Sequence, residues 1–293
     1  MNVAVAASRL GLSAAYVTRL PKNPLGRMIR NAARLHGVDT SHIVWSDGDR
    51  AGLYFMEYGA APRRSAVLYD RKNSAISRIS PGEVRWADIF SKTKLFHTSG
   101  ITPALSSSAA EVTREALSAA RAAGIITSID LNYRSKLWSE AEAQACMTGL
   151  MEFTDVLITT EEDTYRVFKI EGGDYNEVAE KLHSRFGFKV VAITLRQNIS
   201  VWKNNWTAVA YDGERFYDDQ TYELEIVDRV GGGDSFTAGF LYCYLTKGDI
   251  QAGVRYGNAC CALKHSCPGD LNWCTLEEVE SLIAGAGRMR IDR

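Results

Sequence analysis

Three consecutive glycines, Gly231, Gly232 and Gly233, stand directly before Asp234 and an apolar run; we call them the glycine turn. Glycine lets the backbone adopt conformations closed to other residues and approach a ligand with no Cβ in the way. The apolar run predicts a helix over 234–246, and the free N–H groups at a helix start attract negative charge. The pattern therefore predicts an anion-binding turn with the Asp234 carboxylate beside the bound group. The competing interpretation is a tight turn in which Asp234 only caps the helix.

Two other glycine-rich phosphate-binding loops do not fit this turn. A P-loop requires a Gly-Lys-Ser or Gly-Lys-Thr end, and a dinucleotide-binding loop requires the spacing G-x-G-x-x-G. Neither pattern occurs at the glycine turn. A Rossmann cofactor site is therefore not supported.

The segments around the glycine turn alternate between strand and helix patterns. Strands are predicted at 14–18, 42–45, 94–98, 125–130, 155–159 and 189–194, with a further β-rich section at 200–227. Helices are predicted at 2–10, 24–36, 106–123, 139–151, 161–168, 174–186, 234–246, 249–265 and 275–284. This alternation predicts an α/β fold, a mostly parallel sheet with helices on both faces. Ligands bind such sheets beyond the carboxyl ends of the strands, and the strand LEIV at 224–227 leads into the glycine turn.

Residues 51–79 interrupt this alternation. Two β-rich runs, AGLYFMEYG and RSAVLYDR, follow each other with no helix between them, which predicts a hairpin. We therefore divide the chain into an α/β body at 1–50 and 80–293 and a β-hairpin lid at 51–79. The lid carries three aromatic residues close together, Tyr54, Phe55 and Tyr58. An exposed run of this kind would leave an apolar patch in water, so we expect a homodimer formed through the lid.

The composition is that of an ordinary globular protein. Hydrophobic residues make up 46% of the 293 residues and charged residues 24%, which excludes a disordered chain. The formal net charge of -1 gives no bulk attraction to nucleic acid or to an anionic membrane, so neither is expected as a partner. No apolar run is long enough for a membrane helix, the start does not resemble a signal peptide, and no two cysteines form a CxxC pair. These features are typical of a cytoplasmic protein with reduced thiols.

The segment DRVGGGDSFTAGF at 228–240 resembles the C-terminal signature of the ribokinase-like (PfkB) carbohydrate kinases, commonly D-T-x-G-A-G-D-x-F-x-x-G. The matching residues are Asp228, Gly231, Gly233, Asp234, Phe236 and Gly239. Gly232 stands where alanine is usual, and Arg229 stands where threonine is common. The likeness extends over almost the whole chain. It implies a ribokinase-like fold with a small β lid.

Three further segments are most similar to those of the 2-keto-3-deoxygluconate kinases in that family. They are the lid strand at 52–59, the stretch YDRKNSA at 69–75 and the stretch DLNYRSKLW at 130–138. The likeness implies that tyrosine and arginine side chains of these segments hold an acid sugar, namely Tyr54, Tyr69, Arg71 and Arg134. An arginine fork pairs with a carboxylate through two hydrogen bonds, which suits an acid substrate.

The resemblance also implies the reaction and the remaining site residues. ATP would donate a phosphoryl group to a sugar hydroxyl, with Asp234 accepting the hydroxyl proton and the glycine N–H groups stabilising the transferring group. The nucleotide would lie over Thr194 and Arg196 and against the helix that carries Asn258. Mg²⁺ would bridge the phosphates through water. The family's N-x-x-E motif is replaced by T-E-E-D, in which Asp163 stands at the glutamate position if the register holds. Glu162 could serve instead and is the candidate for organising the metal.

Two alternatives to a sugar-acid kinase stay open. One is a kinase of a neutral sugar such as fructose or ribose, because the signature is common to the family. The other is a truncated, non-catalytic nucleotide-binding paralogue, because members of the family carry a strand and a Gly-Gly segment before the helix with which this chain starts. Near the site, Lys264 and His265 are expected on a helix surface. His97 is expected to be a core histidine at a strand end.

Overall fold

The computed structural model describes residues 1–60 and 62–285, and in this part no helix is long and apolar enough to cross a membrane. The strands are β1 (Thr18–Pro21), β2 (Ile43–Ser46), β3 (Leu53–Glu57), β4 (Ala66–Asp70), β5 (Leu95–Ser99), β6 (Ile126–Asp130), β7 (Val156–Thr159), β8 (Val190–Asn198), β9 (Lys203–Tyr211), β10 (Phe216–Asp218) and β11 (Tyr222–Glu225). The helices are α1 (Asn2–Arg9), α2 (Pro24–Leu35), α3 (Trp86–Phe90), α4 (Ser107–Ala122), α5 (Glu140–Met151), α6 (Glu161–Phe168), α7 (Tyr175–Phe186), α8 (Gly232–Lys247), α9 (Ile250–His265) and α10 (Leu276–Ile283).

The largest sheet has seven strands in the order β10-β9-β8-β7-β6-β5, with β11 also paired to β9. Strands β5 to β8 run parallel to one another. Strand β9 pairs antiparallel with β8, and β10 and β11 each pair antiparallel with β9. The register places Ser99 opposite Asp130, and Thr159 opposite Ile193. The parallel strands therefore end together, so the polar residues that follow them share one edge of the sheet.

Helices cover both faces of this sheet because successive side chains of a strand point to opposite faces. Leu157 and Val191 pack into a core formed with α4, α5, α6 and α7. Ile158 and Ala192, one position further along each strand, pack into a second core with Phe240 of α8. The predicted α/β architecture with helices on both faces is confirmed.

Two glycines bring α8 and α9 into close contact. A Cβ at Gly239 would lie 2.5 Å from the carbonyl oxygen of Tyr256, and a Cβ at Gly257 would lie 2.7 Å from the Phe236 ring. A larger side chain at either position would force the helices apart. This packing brings the end of α9 next to the start of α8, where the glycine turn lies.

Four details differ from the prediction made from the sequence. The strand predicted at 14–18 begins only at Thr18, where β1 pairs with β2. Before Thr18, Ala15 forms one isolated β-bridge, to Asp39. Strands β1 and β2 pair with each other in a separate two-stranded sheet. Strand β11 ends at Glu225, so the chain leaves the sheet before it reaches the glycine turn. The short helix α3 was not predicted, because five residues are too few to produce a clear periodicity.

Strands β3 and β4 pair antiparallel within the lid, as predicted. The register separates two faces, because residues two apart in a strand share a face. Tyr54, opposite Tyr69, and Tyr58 lie on the face that meets the body. Phe55, opposite Leu68, lies on the outer face. As expected, all three aromatic residues are exposed, with accessible fractions of 45% for Tyr54, 57% for Phe55 and 54% for Tyr58, but they divide between the two faces and only Phe55 faces outwards. The division of the chain into body and lid stays a prediction.

Candidate active site

Two glycines give the glycine turn its shape. Gly231 caps α8 with a φ of 84°, a left-handed conformation that favours glycine. A Cβ there would lie 2.1 Å from the carbonyl oxygen of Asp270, and a Cβ at Gly232 would lie 2.7 Å from His265 Cε1. Neither position accepts a side chain unless its neighbours move. Gly233 differs, because a Cβ at this position would meet no atom within 4 Å.

The N–H groups of the glycine turn are only partly used. The N–H of Gly232 donates to the carbonyl oxygen of Arg229 at 3.3 Å. For the N–H groups of Gly233 and Asp234, no partner is found in the described part of the chain. Unpaired N–H groups at a helix start that face open space are suited to bind an anion. The N–H of Gly231 also has no partner among the described residues, so the free donors come from Gly231, Gly233 and Asp234, whereas the Gly232 N–H is used within the turn.

Asp234 is the third residue of α8, and Gly231 holds the cap position. This excludes the interpretation in which Asp234 is only a helix cap. Its Oδ2 accepts a hydrogen bond of 3.0 Å from Nδ2 of Asn2, the first residue of α1. The half-buried carboxylate is thus held in one orientation beside the free N–H groups of the turn.

Two further carboxylates belong to this part of the site: Asp130, which the sequence did not indicate as a site residue, and Asp163, the alternative metal candidate. Asp130 ends β6, where burial and then the charges of Asp234 and Asp163 raise its pKa to about 8. Burial also raises the pKa of Asp163 to about 6, although the Arg134 charge favours its ionised form. When all three carboxylates are ionised, their negative charge exceeds the positive charge of Arg134 and Arg166 together. This part of the site therefore favours a bound cation.

Glu162, the predicted metal residue, points away from these carboxylates. Its side chain is 70% exposed, and its Oε1 accepts a hydrogen bond of 2.6 Å from Arg166 one helical turn further on. Asp163 is the residue whose charge acts on Asp130. Neighbouring helix residues point about 100° apart, so a shift of one residue in the motif register changes which side chain enters the site. Of the two residues considered for the metal, the structure therefore favours Asp163 over Glu162.

These carboxylates do not form a site that binds a metal ion directly. Within residues 1–60 and 62–285, no group of three His, Cys, Asp or Glu side chains is close enough to hold a metal ion. The raised pKa values of Asp130 and Asp163 come mainly from burial, and that of Asp130 also from the charges of Asp234 and Asp163. This arrangement fits a cation that is held through water and through the phosphates of a ligand.

Two guanidinium groups lie near each other. They belong to Arg71, just after β4, and to Arg134, just after β6. Arg71 stacks on Tyr69, with Cζ 3.9 Å from the ring centroid. Burial and the nearby Arg134 charge lower the pKa of Arg71. The Arg71 Nε is buried, and no hydrogen-bond partner is found for it among the described residues. Two cations with an unused donor are suited to an anionic group.

The predicted substrate tyrosines lie on the inner face of the lid. Tyr54 and Tyr69 are directly opposite each other, with ring centroids 6.3 Å apart. Burial and then the Asp270 carboxylate raise the pKa of the Tyr54 hydroxyl to about 12. Tyr69 lies beneath Arg71, so both tyrosines border the space between the lid and the body.

Two of the three side chains predicted to contact the nucleotide lie at the edge of the sheet. Thr194 and Arg196 follow the buried part of β8, and Arg196 is exposed. Arg229 lies near Arg196, since burial and then the Arg196 charge lower the pKa of Arg229. Arg229 Nη2 donates to the carbonyl oxygen of Val201 at 2.8 Å. The residue that replaces the family's threonine therefore adds a second cation beside the glycine turn.

The third predicted nucleotide residue, Asn258, is fully buried. Its Oδ1 accepts a hydrogen bond of 3.1 Å from Trp206 Nε1, and its Nδ2 donates to Asp219 Oδ2 at 3.4 Å. The side chain is used inside the core, so the prediction of direct nucleotide contact is corrected. Lys264 and His265 are also buried, and the expectation that they lie on a helix surface is wrong.

The chain is similar to carbohydrate kinases along almost its whole length. Residues 1–277 match the family model described as pfkB family carbohydrate kinase. The 2-dehydro-3-deoxygalactonokinase of Haloferax volcanii is 40% identical over 292 residues, which cover 100% of this chain and 88% of that protein. The crystal structure of the 2-dehydro-3-deoxygluconokinase of Thermotoga maritima has a TM-score of 0.94 at 40% identity and covers 97% of this chain and 88% of its own.

A ribokinase-like protein of E. coli was solved with ATP and Mg²⁺. Its TM-score is 0.84 at 22% identity, over 97% of this chain and 87% of that one, so this likeness shows the fold alone. The predicted ribokinase-like fold is confirmed by these neighbours. Since the family model spans nearly the whole chain and one relative is 40% identical to all of it, this sugar kinase belongs to the pfkB family of carbohydrate kinases.

Proposed function

We propose that this kinase transfers the γ-phosphoryl group of ATP to a hydroxyl of a 2-keto-3-deoxy sugar acid. The observation that carries the proposal is the pair Arg71 and Arg134, whose charges act on each other on the lid side of the site. The two relatives at 40% identity are named for keto-deoxy sugar acids, which supports the same class of substrate here.

A carboxylate is the ligand that best suits this pair of arginines. Two neighbouring guanidinium groups repel each other until an anion lies between them. The buried Arg71 Nε would gain a partner in a substrate carboxylate, and Arg71 is already oriented by its stacking on Tyr69. A neutral sugar offers no negative charge and would leave both cations uncompensated. The site therefore favours an acid over fructose or ribose.

In the proposed reaction, Asp234 accepts the proton of the attacking hydroxyl. The sugar oxygen forms a bond to the γ-phosphorus, and the bond from that phosphorus to the oxygen bridging to the β-phosphate breaks. The hydrogen bond from Asn2 keeps the Asp234 carboxylate in position. The N–H groups of Gly233 and Asp234 stabilise charge on the transferring group, and Arg134 lies between the substrate carboxylate and that group.

The nucleotide and its metal have separate residues in this scheme. Thr194, Arg196 and Arg229 flank the glycine turn on the nucleotide side and favour its phosphates. Mg²⁺ bound to those phosphates would neutralise part of their charge. Asp130 and Asp163, with pKa values raised to about 8 and about 6, are the residues that would hold its waters.

We also propose that the lid pairs with the lid of a second copy. Its outer face exposes 42% of Leu53, 57% of Phe55 and 67% of Leu68. These side chains lie together, because Phe55 is opposite Leu68 and Leu53 is two residues from Phe55. Apolar residues clustered on a small projecting hairpin are suited to an interface between subunits.

The test is an assay of ATP consumption with 2-keto-3-deoxygluconate, 2-keto-3-deoxygalactonate, fructose and ribose. We expect kcat/KM for at least one of the acids to exceed that for both neutral sugars by about tenfold or more, since one charge-assisted hydrogen bond contributes about 1.5–3 kcal/mol. A preference for fructose or ribose would instead support a neutral-sugar kinase. Turnover of no substrate, with ATP binding intact, would support a non-catalytic paralogue.

The variant that tests the catalytic role is Asp234→Asn, because it keeps the shape of the side chain and can still accept a hydrogen bond from Asn2. Loss of a general base typically lowers the rate by about 10² to 10⁴-fold. We expect this loss while ATP binding, measured by calorimetry, stays within about twofold of the wild type. A variant that keeps more than about a tenth of wild-type turnover would exclude Asp234 as the base.

A further inference from the structure

Lys264 is a fully buried lysine in the last turn of α9, and the proposed reaction does not use it. Its Nζ donates to the carbonyl oxygen of Cys267 at 3.1 Å and to that of Asp228 at 3.4 Å. Burial lowers its pKa, whereas the charges of Asp228 and Asp270 favour its ionised form. A buried ammonium is costly unless it is paired and hydrogen-bonded, so its position calls for a physical reason.

The two carbonyl oxygens belong to the two segments that hold the glycine turn from either side. Asp228 leads into the turn, and its Oδ1 accepts a hydrogen bond of 2.9 Å from the N–H of Val230. Cys267 begins the loop after α9, whose Gly269 N–H donates to Asp228 Oδ2 at 3.0 Å. The same loop carries Asp270, against whose carbonyl oxygen Gly231 packs. One ammonium group therefore joins both sides of the turn.

We infer that the Lys264 ammonium is an internal cation that fixes the glycine turn in its phosphate-binding form. This inference rests on the proposed function, because it assigns a positioning residue to the same site. Removal of the ammonium would leave two backbone carbonyls without their shared donor and Asp228 without a neighbouring counter-charge. The segments at 228–230 and 267–270 could then separate, and the free N–H groups of Gly233 and Asp234 would lose their common direction.

The inference assigns the role to the charge and not to the volume of the side chain. Carbonyl oxygens bind small monovalent cations, because they replace the oxygens of the hydration shell. If Lys264 is replaced by methionine, which has a similar length and no charge, the two carbonyls become available to a free cation. An ammonium ion can then take the place of the lost Nζ, whereas tetramethylammonium has no N–H donor and is too large.

The experiment compares wild type, Lys264→Met and Lys247→Met in ammonium chloride and in tetramethylammonium chloride at equal ionic strength. Lys247 is the matched control, because its Nζ donates to Tyr256 Oη at 3.0 Å near the other end of the same helix pair. We measure kcat and KM for the sugar acid, and ATP affinity by calorimetry. In tetramethylammonium chloride we expect Lys264→Met to lose about tenfold or more in kcat and in ATP affinity, with KM for the sugar acid changed by less than about threefold.

Recovery distinguishes a positioning cation from a structural lysine. Ammonium chloride should restore at least about a third of the lost kcat and ATP affinity to Lys264→Met, and should leave wild type and Lys247→Met unchanged. The inference is overturned if Lys264→Met keeps wild-type values, if ammonium restores nothing, or if the variant fails to fold in both salts. It is also overturned if wild type itself needs ammonium or potassium ions. If wild type phosphorylates no sugar, the proposed function fails, and the ATP affinities alone then decide this inference.

Discussion

The Tyr58 hydroxyl on the lid donates a hydrogen bond of 2.6 Å to Asp228 Oδ2 in the segment that leads into the glycine turn. That hydrogen bond and burial raise the pKa of Tyr58 to about 12, so the hydroxyl remains a donor at neutral pH. Through its Oδ1, the same carboxylate accepts the N–H of Val230. A single side chain thus connects the position of the lid to the position of the glycine turn.

We expect Tyr58→Phe to weaken this connection without disturbing the fold. A hydrogen bond to a charged acceptor contributes about 1.5–3 kcal/mol, and the partial exposure of Tyr58 reduces that value. The KM for the sugar acid should therefore rise about threefold to tenfold, because the lid closes less often. Steady-state kinetics and thermal melts measure both effects. Tyr165→Phe on α6 is the control, and equal kinetics for the two variants would show that the contact has no role.

Gly233→Ala should lower the activity of the enzyme without lowering its stability. A Cβ at this position meets no atom within 4 Å, and alanine is favoured over glycine in a helix by up to about 1 kcal/mol. The melting temperature should stay equal or rise. The kcat/KM should fall about tenfold or more, because the methyl group enters the space in front of the free N–H groups.

Gly232→Ala is the matched comparison for this glycine. Its Cβ would lie 2.7 Å from His265 Cε1, and overpacking of this kind typically destabilises a protein by about 1–3 kcal/mol. Gly232→Ala should therefore melt at a lower temperature than wild type. If Gly233→Ala melts lower and retains full activity, our assignment of the two glycines is reversed.

The glycine turn could be predicted from the sequence because its pattern is local. Three glycines before a carboxylate and an apolar run allow few interpretations, and the hydrophobic periodicity gave most helix bounds within two residues. The choice between Glu162 and Asp163 stayed open for a local reason as well. A motif with two substitutions does not fix which of two neighbouring helix residues turns inwards, and only the packing of α6 decides it.

Other features could not be predicted, because they depend on contacts between distant segments. Tyr58 and Asp228 are 170 positions apart, and no periodicity links them. Lys264 was expected on a helix surface because lysine is usually exposed, and Asn258 was expected at the nucleotide because of the family resemblance. Each is buried because its polar atoms find partners: backbone carbonyls for Lys264, and Trp206 with Asp219 for Asn258.

Arg71→Leu and Arg134→Leu should differ in their kinetic effects. Each loses a charge-assisted hydrogen bond to the substrate carboxylate, so KM for the sugar acid should rise about tenfold or more. Arg134 also lies beside Asp130 and Asp163, so its replacement should lower kcat as well. Arg64→Leu, an exposed position on the same hairpin, is the control. Equal losses on an acid and a neutral sugar would contradict recognition of a carboxylate.

Protonation of His97 should make the protein less stable in acid. Burial lowers the pKa of His97 to about 3, and its Nδ1 lies 3.1 Å from Ser128 Oγ. The unfolded chain, with a histidine pKa of about 6.5, binds the proton more readily. Stability from the neutral ring is therefore present above about pH 6.5 and is lost as the pH falls towards 3, by at most about 1.4 kcal/mol per pH unit.

The variant His97→Gln removes this titration. Denaturant unfolding between about pH 7.5 and pH 5 should show a smaller loss of stability for the variant than for wild type. His42→Gln, outside the central sheet, is the control and should follow wild type. Parallel stability curves for wild type and His97→Gln would mean that His97 is not buried in its neutral form.

The outer face of the lid should hold two copies of the chain together. Leu53, Phe55 and Leu68 form an apolar surface with no partner among the described residues, and the inner face is already used by Tyr54 and Tyr58. A charge on this surface would have to be desolvated on association, which costs more than the apolar contact returns. We therefore expect Phe55→Glu with Leu68→Lys to convert a dimer into a monomer in light scattering.

Leu35→Glu is the control, because Leu35 is 82% exposed on α2, where an apolar surface could form a competing interface. If Leu35→Glu gives the monomer and the lid variant stays dimeric, the interface lies on α2. A wild type that is monomeric at micromolar concentration would rule out both surfaces.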